Sequence, residues 1–285
     1  MRLYTIETNG MAKVAVGMDD AMYTVDSFGV DVRDMNELIC NWSQLGDVIR
    51  QKLANVDVSP VTDYKMLAPI IRPLQDVVCL GVNYREHVEE TADVLDFSKK
   101  SATVYFSKRV NKCTAPEDYI PNYDFVDKLD YEVELGVILG RDAFRVDAES
   151  ADDYIFGYTI INDVSARDIQ LKHQQWYLGK SLDGYTPMGP CIVTADEIDN
   201  VHDLDITCYV NGEKRQSSNT GYMITTVEDA IAELSQGMTL SAGTVIATGT
   251  PGGVGMGMKP PVYLESGDVV RCEIENIGAL ENTVE

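Results

Sequence analysis

Two glutamates separated by one residue lie in the stretch of the sequence with the clearest chemical potential, Asp130–Leu139. Because side chains alternate along a strand, Glu132 and Glu134 are expected to share one face. Val133 and Leu135 lie on the other face, and both faces become apolar toward the end of the stretch, which predicts a buried strand. Two buried carboxylates carry a large desolvation cost, and a bound divalent cation would offset it. The alternative is an edge strand on which both glutamates face solvent.

A third carboxylate is offered where the apolar run Ile160–Asn162 ends in Asp163, just before a predicted helix. Glu132, Glu134 and Asp163 form an all-oxygen set with no histidine or cysteine nearby in the sequence. Hard oxygen ligands favour magnesium, manganese or calcium over zinc. We therefore predict a divalent-cation site held by these three residues, with Mg²⁺ or Mn²⁺ as the expected ion and Ca²⁺ as a possible one.

An acid–base pair is suggested by His87 and Glu90, which follow a predicted strand. Their spacing of three residues would bring them together on one helical turn. A carboxylate that orients an imidazole also raises its basicity, which suits the activation of a water molecule. The alternative is a pair of neighbouring side chains on the surface.

Lys180 is the lone basic residue of the glycine-bounded, aromatic-flanked turn Trp176–Tyr185. Near a metal, its ammonium could neutralise a substrate oxyanion, although an isolated lysine can equally be a solvated one. Arg167 and Gln170 follow Asp163 by four and seven residues on a predicted helix. One helical face could therefore present all three to one pocket.

A glycine-rich segment, Gly249–Met258, resembles a phosphate-binding loop only superficially, because it lacks the Gly-Lys-Ser/Thr ending and prolines follow it. We expect a substrate-lining loop in which the backbone approaches closely. The hydroxyl of Thr250 could then bind a substrate carboxylate. A long structural turn is the alternative.

The elements that must position these residues are mostly strands, punctuated by glycine and proline from Val77 onward. Asn211-Gly212 after an alternating run predicts a hairpin turn. Predicted strands are Val77–Val82, Thr103–Phe106, Tyr131–Leu139, Tyr158–Asn162, Leu204–Val210, Thr244–Thr248 and Val269–Ile274. Predicted helices are Ala148–Tyr154, Val164–Gln174 and Thr226–Ser235.

The N-terminal residues 1–72 are predicted to form a small separate domain, and residues 73–285 the catalytic domain. Short alternating segments near residues 13–25 indicate strands, and apolar residues at helical spacing predict a helix over Met35–Ala54. The proline-containing segment Ala68–Pro73 reads as a linker. No candidate for chemistry lies in the N-terminal part, which suggests a packing or dimerisation module.

Composition narrows the classes of function. The chain of 285 residues carries 23 basic and 46 acidic side chains, a net charge of −23, which disfavours binding to nucleic acid or to anionic membrane surfaces. Six cysteines without a CxxC pair indicate thiols in a reducing compartment. No signal-peptide or membrane-spanning pattern is evident. We therefore expect a cytoplasmic protein.

Five pieces of the sequence follow one another in the order Gly81–His87, Asp130–Leu135, Asn162–Asp168, Gly179–Ser181 and Gly249–Gly255. Together they resemble the fumarylacetoacetate hydrolase superfamily. The resemblance runs from about Val77 to the C-terminus, and the order of the pieces makes it specific although each alone is weak. Thr186–Pro190 looks like the bacterial branch of hydroxyheptadienedioate isomerases, ureidoglycolate lyase-like proteins and fumarylpyruvate hydrolases.

This resemblance implies a fold and a set of roles. The expected fold is α+β and strand-rich, a mixed β-sandwich roll with few helices plus the small N-terminal domain, and the expected assembly is a homodimer. The implied roles match Glu132, Glu134 and Asp163 to metal ligands, Lys180 to a substrate-polarising lysine, His87 and Glu90 to a dyad on a mobile lid, and Arg167, Gln170, Tyr84 and Thr250 to substrate contacts.

The resemblance also implies a small anionic oxo-acid substrate and leaves three functions open. The first is hydrolysis of a C–C bond in a 2-oxo acid or 1,3-dicarbonyl, in which His87 deprotonates water and Lys180 helps the cation to hold an enolate. The second is decarboxylation or isomerisation of an oxo-dicarboxylic acid such as oxaloacetate. The third is non-catalytic ligand binding, against which the presence of His87, Glu90 and Lys180 argues.

The basic residues in and next to the predicted lid, residues 86–127, bear on the choice of substrate. Arg85, Lys108, Arg109 and Lys112 could attract a dicarboxylate locally, or they could be ordinary solvated charges.

Overall fold

The computed structural model describes residues 1–92, 102–173 and 175–285. Part of the predicted lid, residues 93–101, therefore lies outside the described residues, as does Gln174. Numbered in chain order, the strands are β1 (Arg2–Thr8), β2 (Met11–Met18), β3 (Ala21–Thr24), β4 (Lys65–Leu67), β5 (Val77–Gly81), β6 (Val104–Lys108), β7 (Tyr119–Ile120), β8 (Leu129–Asp130), β9 (Val133–Leu139), β10 (Ile155–Asn162), β11 (Ser165–Ala166), β12 (Met188–Thr194), β13 (Asp205–Val210), β14 (Glu213–Asn219), β15 (Val245–Ala247), β16 (Val269–Ile274) and β17 (Gly278–Val284).

The described α-helices are short, from four to 13 residues. The α-helices are α1 (Met35–Cys40), α2 (Trp42–Ala54), α3 (Arg85–Glu90), α4 (Arg167–Lys172), α5 (Tyr177–Lys180) and α6 (Val227–Ser235). Segments of 3₁₀ helix cover Val25–Phe28, Ala148–Tyr154, Ala195–Glu197, Thr220–Tyr222 and Gly255–Gly257. The predicted strand-rich α+β class is confirmed. Within the described ranges, no helix combines the length and apolar character needed to cross a lipid bilayer.

Two sheets form the body of the molecule. The larger has the strand order β3-β2-β1-β12-β10-β9-β15-β5-β6, with β4 paired to β1, and the smaller has the order β14-β13-β16-β17-β7. In the larger sheet, β5 and β15 run parallel and β15 runs antiparallel to β9. The ends of β5, β9 and β15 are therefore brought side by side although they lie far apart in the sequence.

Strand β9 is buried on both faces, as its apolar pattern predicts. Val133, Leu135 and Val137 belong to the core that also includes residues of β13 and β16 from the smaller sheet. Ile138 belongs to a second core, which packs Leu38 and neighbouring side chains of helices α1 and α2 against the opposite face. The burial of both faces gives the carboxylates of this strand a poorly solvated setting.

The strands of the predicted N-terminal domain continue the larger sheet. Leu3 of β1 pairs with Ile192 of β12, and β2 and β3 follow outward. The predicted helix over 35–54 is divided into α1 and α2 at Asn41. The division into domains at residue 72 stays a prediction, and so does the homodimer.

The hairpin turn predicted at Asn211-Gly212 is confirmed, and helix α6 has a side-chain cap at its N-terminus. Asn211 and Gly212 adopt left-handed φ angles of 52° and 78° in the hairpin between β13 and β14. The side chain of Thr226 accepts a hydrogen bond from Asp229 N and caps helix α6.

The helix predicted over Val164–Gln174 is shorter in the structure. Ser165 pairs with Asp130 in a small two-stranded sheet, and the helix begins at Arg167. This long-range pairing outcompetes the helical pattern over residues 164–166. Ala148–Tyr154, also predicted as an α-helix, is a 3₁₀ helix.

Candidate active site

The three carboxylates predicted to bind metal lie close together at the ends of β9 and β10. Glu132 immediately precedes β9, Glu134 lies within it, and Asp163 follows β10. Each offers one oxygen within 4.8 Å of the others, and all three side chains are buried. Asp163 N donates to Glu132 O (2.8 Å), and Glu132 N donates to Asn162 Oδ1 (3.0 Å), so the two strand ends hold each other in register.

Buried cations neutralise part of this negative charge. Lys180 Nζ lies 2.7 Å from Glu132 Oε2 and 2.7 Å from Asp163 Oδ2. Arg167 Nη1 lies 2.7 Å from Glu132 Oε1. Lys108 forms an ion pair with Asp163 and also donates to Val164 O (3.2 Å). Each side chain is almost completely removed from solvent, so these ion pairs are weakly screened.

Asp130 completes the cluster. Its Oδ2 accepts a hydrogen bond from Arg167 Nε at 2.8 Å, which orients the guanidinium toward Glu132. With Asp130 included, four carboxylates stand against the three cations Lys108, Arg167 and Lys180, so the cluster has one formal negative charge in excess. Glu134 is the carboxylate of the cluster without a cationic partner, since it makes no salt bridge within the described residues and instead accepts a hydrogen bond from the backbone amide of Gly249 (2.9 Å).

The pKa shifts reflect this imbalance. Burial, reinforced by the charges of Asp163 and Glu132, raises the pKa of Glu134 well above its ordinary value. Burial also acts to raise the pKa of Glu132, but Lys180 and Arg167 outweigh it and hold that pKa below its ordinary value. In the ion-free cluster, the charged form of Glu134 is therefore disfavoured, whereas that of Glu132 is stabilised.

A divalent cation fits this donor set. It would convert the excess negative charge into an excess positive one and would give Glu134 the cationic partner that it lacks within the described residues. The ligand atoms are all carboxylate oxygens, which suits Mg²⁺, Mn²⁺ or Ca²⁺. Glu132, Glu134 and Asp163 are the residues that would hold the ion.

Helix α3 brings His87 and Glu90 together, as their spacing predicts. His87 Nδ1 lies 2.8 Å from Glu90 Oε1, and both side chains are largely shielded from solvent. With the Nδ1 proton donated to Glu90, Nε2 keeps a lone pair that can accept a proton. The two side chains are therefore largely buried, in contrast to the alternative of a pair on the surface.

Arg167 and Gln170 share a face of α4 and contact each other through Arg167 Nη1 and Gln170 Oε1 (3.0 Å). Asp163 does not lie on that helix, contrary to the expectation of a single helical face. It reaches the same cluster because β11 separates it from α4 and turns the chain. Arg167 Nη2 is buried and has no hydrogen-bond partner in the described part of the chain.

Lys180 lies on the short helix α5 rather than in a turn. A Cβ at Gly179 would lie 2.6 Å from Gln170 N, so glycine allows α5 to contact α4 directly. The Lys180 ammonium lies 5.5 Å from the centroid of the Phe106 ring. Close helix contact and the aromatic wall together direct the lysine into the carboxylate cluster.

The hydroxyl of Thr250 already has two protein partners. Thr250 Oγ1 donates to Val133 O (2.9 Å) and accepts from Gln216 Nε2 (2.8 Å). Tyr84 is fully buried, and burial followed by the charge of Glu134 raises the pKa of its hydroxyl. The substrate contacts assigned to Thr250 and Tyr84 stay predictions.

A small cavity of about 20 Å³ lies among these groups, with room for roughly one water molecule. Tyr84 is not among the residues that line it. The predicted site residues that do are His87, Glu132, Glu134, Arg167, Gln170, Lys180 and Thr250.

Three supporting residues escaped the sequence-based assignment. Lys108 was grouped with the basic residues of the lid, but it is buried beneath Asp163, and this corrects that interpretation. Asp130 and Gln216 were assigned no role, yet both are completely buried and hydrogen-bonded to site segments. For Asp130, the available signal was its position at the start of Asp130–Leu139, a stretch whose apolar pattern predicts burial. By contrast, Arg85, Arg109 and Lys112 are exposed, as solvated charges would be.

Replacing Lys108 by methionine should destabilise the ion-free protein by about 3–5 kcal/mol, because Asp163 would lose its buried partner. Urea unfolding in the presence of a chelator measures this. Lys65→Met is a matched control, since the Lys65–Asp118 pair lies on the surface and should contribute at most about 1 kcal/mol. Equal effects of the two substitutions would contradict a supporting role for Lys108.

Comparison with known proteins gives consistent matches. The family model described as "Fumarylacetoacetate (FAA) hydrolase C-terminal" matches residues 76–285. Oxaloacetate tautomerase YisK of Bacillus subtilis is 42% identical over 225 residues, covering 79% of this chain and 74% of the relative.

Two solved structures extend the comparison to the fold. A fumarylacetoacetate hydrolase from Exiguobacterium antarcticum has a TM-score of 0.88 and 41% identity, covering 100% of this chain and 99% of that one. Maleylpyruvate hydrolase from Sphingobium sp. SYK-6, in complex with manganese(II) ion and pyruvate, has a TM-score of 0.79 and 25% identity, covering 100% and 98%. The matches therefore include proteins named for tautomerisation and for hydrolysis.

Proposed function

Because the chain belongs to the fumarylacetoacetate hydrolase family and is an enzyme of that family, we propose that it interconverts the keto and enol forms of a 2-oxo dicarboxylic acid of the oxaloacetate type. One observation carries the proposal. His87, held by Glu90, lines the same small cavity as Lys180 and two of the three carboxylates, Glu132 and Glu134. A group able to move a proton thus faces a group able to stabilise an oxyanion, which is what enolisation requires.

The side chains divide the work of proton transfer between them. His87 Nε2 accepts the proton from C3 of the keto acid, while Glu90 holds Nδ1 and stabilises the imidazolium that forms. The Lys180 ammonium stabilises the negative charge that develops on the 2-oxo oxygen. Return of the proton to that oxygen yields the enol, and the reverse sequence restores the ketone. A divalent cation held by Glu132, Glu134 and Asp163 would supply Lewis acidity to the substrate oxygens.

The charge of the cluster supports an anionic substrate despite the net charge of −23 on the chain. A divalent ion would leave the buried cluster with a formal excess of positive charge. Arg167 adds a buried Nη2 without a partner in the described residues, which is a donor suited to a carboxylate. Support for manganese as the ion comes from the maleylpyruvate hydrolase structure.

Hydrolysis of an acylpyruvate-type C–C bond is the second candidate. The cavity has room for roughly one water beside the acid–base pair. His87 could take a proton from that water instead of from C3, so the two reactions would use the same residues. Tautomerisation is preferred because it needs no attacking water and because the 42% identical relative is an oxaloacetate tautomerase.

Purified protein with Mn²⁺ or Mg²⁺ should accelerate the approach of enol oxaloacetate to keto–enol equilibrium, followed by ultraviolet absorbance. NMR in D₂O should show exchange at C3 before pyruvate accumulates. The chelated protein and the ion alone provide the background rates.

Other outcomes would replace the proposal. Pyruvate and carbon dioxide released as fast as C3 exchanges would indicate a decarboxylase. No acceleration with oxaloacetate, together with cleavage of fumarylpyruvate or another acylpyruvate, would indicate a hydrolase.

A further inference from the structure

Backbone amides of the glycine-rich loop Gly249–Met258 donate hydrogen bonds to three carboxylates of the site. Glu134 is a predicted metal ligand, Glu90 is the partner of the predicted base His87, and Asp130 orients Arg167. The hydrogen bonds run from Gly249 N to Glu134 Oε2 (2.9 Å), from Gly253 N to Glu90 Oε2 (2.7 Å), from Gly255 N to Asp130 Oδ1 (2.8 Å) and from Met256 N to Asp130 Oδ2 (3.0 Å). Amide donors to carboxylates are among the stronger hydrogen bonds in proteins.

Helix α3, which carries His87 and Glu90, depends on this loop for its position. The helix has six residues and no side-chain hydrogen bond at its N-cap, so it has little stability of its own. It follows Val82, whose φ of 56° is unfavourable for a β-branched residue. Such a conformation persists only when its surroundings enforce it.

At three of its glycines, the loop lies so close to this segment that an added Cβ would require a neighbouring atom to shift. A Cβ built on Gly249 would lie 2.7 Å from Asn83 Cβ, and one on Gly252 would lie 3.0 Å from Glu86 Cβ. At Gly257 the nearest atoms all belong to the Glu90 side chain, with Oε2 at 2.5 Å. The glycines therefore form a surface against which α3 and its carboxylate are seated.

We propose that Gly253 and Gly257 are positioning residues that set Glu90, and through it His87, relative to the carboxylate cluster. Gly253 does so through its amide and Gly257 through the absence of a side chain. Glu90 has one carboxylate oxygen on His87 and the other on Gly253 N, so any shift of the carboxylate moves the imidazole. The catalytic consequence rests on the proposed proton transfer by His87.

Gly257→Ala is the diagnostic variant. Its new methyl group would meet the end of a flexible side chain, so the fold can accommodate it by moving the Glu90 carboxylate. Gly257 also lacks the positive φ that would strain alanine. We expect kcat to fall by roughly 10- to 100-fold with KM within about twofold, because misplacement of a proton-transferring group by about 1 Å has effects of that size. Binding of Mn²⁺ alone, measured by calorimetry, should be unchanged.

Gly237→Ala is the matched control. A Cβ at Gly237 meets nothing within 4 Å, and this glycine also lacks a positive φ. Its kcat should equal that of the unmodified enzyme. Gly253→Ala is unsuitable as a test, since its Cβ would lie 2.0 Å from Arg215 O and the backbone would have to move.

A double-mutant cycle tests whether Gly257 acts through Glu90. In a Glu90→Ala background, Gly257→Ala should cause no further loss of kcat. An equal loss in both backgrounds, or full activity of Gly257→Ala, would overturn the proposal. If Gly257→Ala does not fold, Glu90→Asp serves instead, because the shorter carboxylate cannot bridge His87 and Gly253, and an unchanged kcat would overturn the proposal.

An NMR measurement separates this proposal from the proposed function. The Nδ1 proton of His87, hydrogen-bonded to Glu90, should give a resonance that shifts or disappears in Gly257→Ala and persists in Gly237→Ala. No substrate is needed, so an enzyme without tautomerase activity would still report the positioning. An unchanged resonance in Gly257→Ala would overturn it.

Discussion

His87→Ala should lower the rate of keto–enol interconversion by roughly two to four orders of magnitude, the usual contribution of a general base. The imidazole lines the cavity that contains Lys180, and Glu90 holds its Nδ1 at 2.8 Å. Alanine removes the proton acceptor but leaves Glu132, Glu134 and Asp163 in place. Steady-state rates with Mn²⁺, together with calorimetric titration of the ion, measure the two effects separately.

His202→Ala provides the control for this experiment. His202 also pairs with a carboxylate, Glu228 at 2.8 Å, but does not line the cavity of the candidate site. It should retain the full rate. Near-normal turnover by His87→Ala would remove His87 from the mechanism, and loss of Mn²⁺ binding would show that the histidine acts on the ion site instead.

Glu132→Gln and Glu134→Gln should both weaken Mn²⁺ binding by more than roughly 100-fold, yet differ in the stability of the ion-free protein. Glu132 neutralises Lys180 and Arg167, so its replacement leaves two buried cations undercompensated and should cost about 3–5 kcal/mol. The raised pKa of Glu134 means that its buried position disfavours the charged form, and a glutamine oxygen can still accept the hydrogen bond from the Gly249 amide. Its replacement should cost less than about 1 kcal/mol or stabilise the fold.

Denaturant unfolding in chelator and thermal unfolding with added Mn²⁺ test this contrast. The unmodified protein should gain stability with Mn²⁺ concentration, whereas both variants should respond weakly. Unchanged metal content of either variant by elemental analysis would defeat its assignment as a ligand. Equal destabilisation by both substitutions would contradict the charge distribution described for the cluster.

The parts of the site that were predictable from the sequence depend on local geometry. Strand alternation placed Glu132 and Glu134 on one face, and helical spacing placed His87 beside Glu90. The ordered motifs added Asp163, which the structure brings within reach of both glutamates. The strand-rich class followed from short apolar runs bounded by glycine and proline.

The supporting contacts were not predictable, because they join segments with no shared local pattern. Lys108 meets Asp163 across 55 positions, and Gln216 meets Val133 across 83. No periodicity links such residues, and the sequence around Lys108 does not show whether its side chain is buried or solvated. The shortened helix at Arg167 has the same origin, since a long-range strand pair replaced local helical propensity.

The parallel pairing of β5 with β15 also bears on how the chain is made. Asn83, just after β5, donates to Thr248 O (2.8 Å), 165 positions further on. At synthesis rates of about 5–20 residues per second, that separation corresponds to roughly 10–30 s. Throughout this interval β5 lacks β15 on one edge, and an unpaired strand edge can associate with another nascent chain. The site is assembled from segments that lie far apart in the sequence. The same arrangement therefore determines how long the unfinished chain exposes a strand edge that can aggregate.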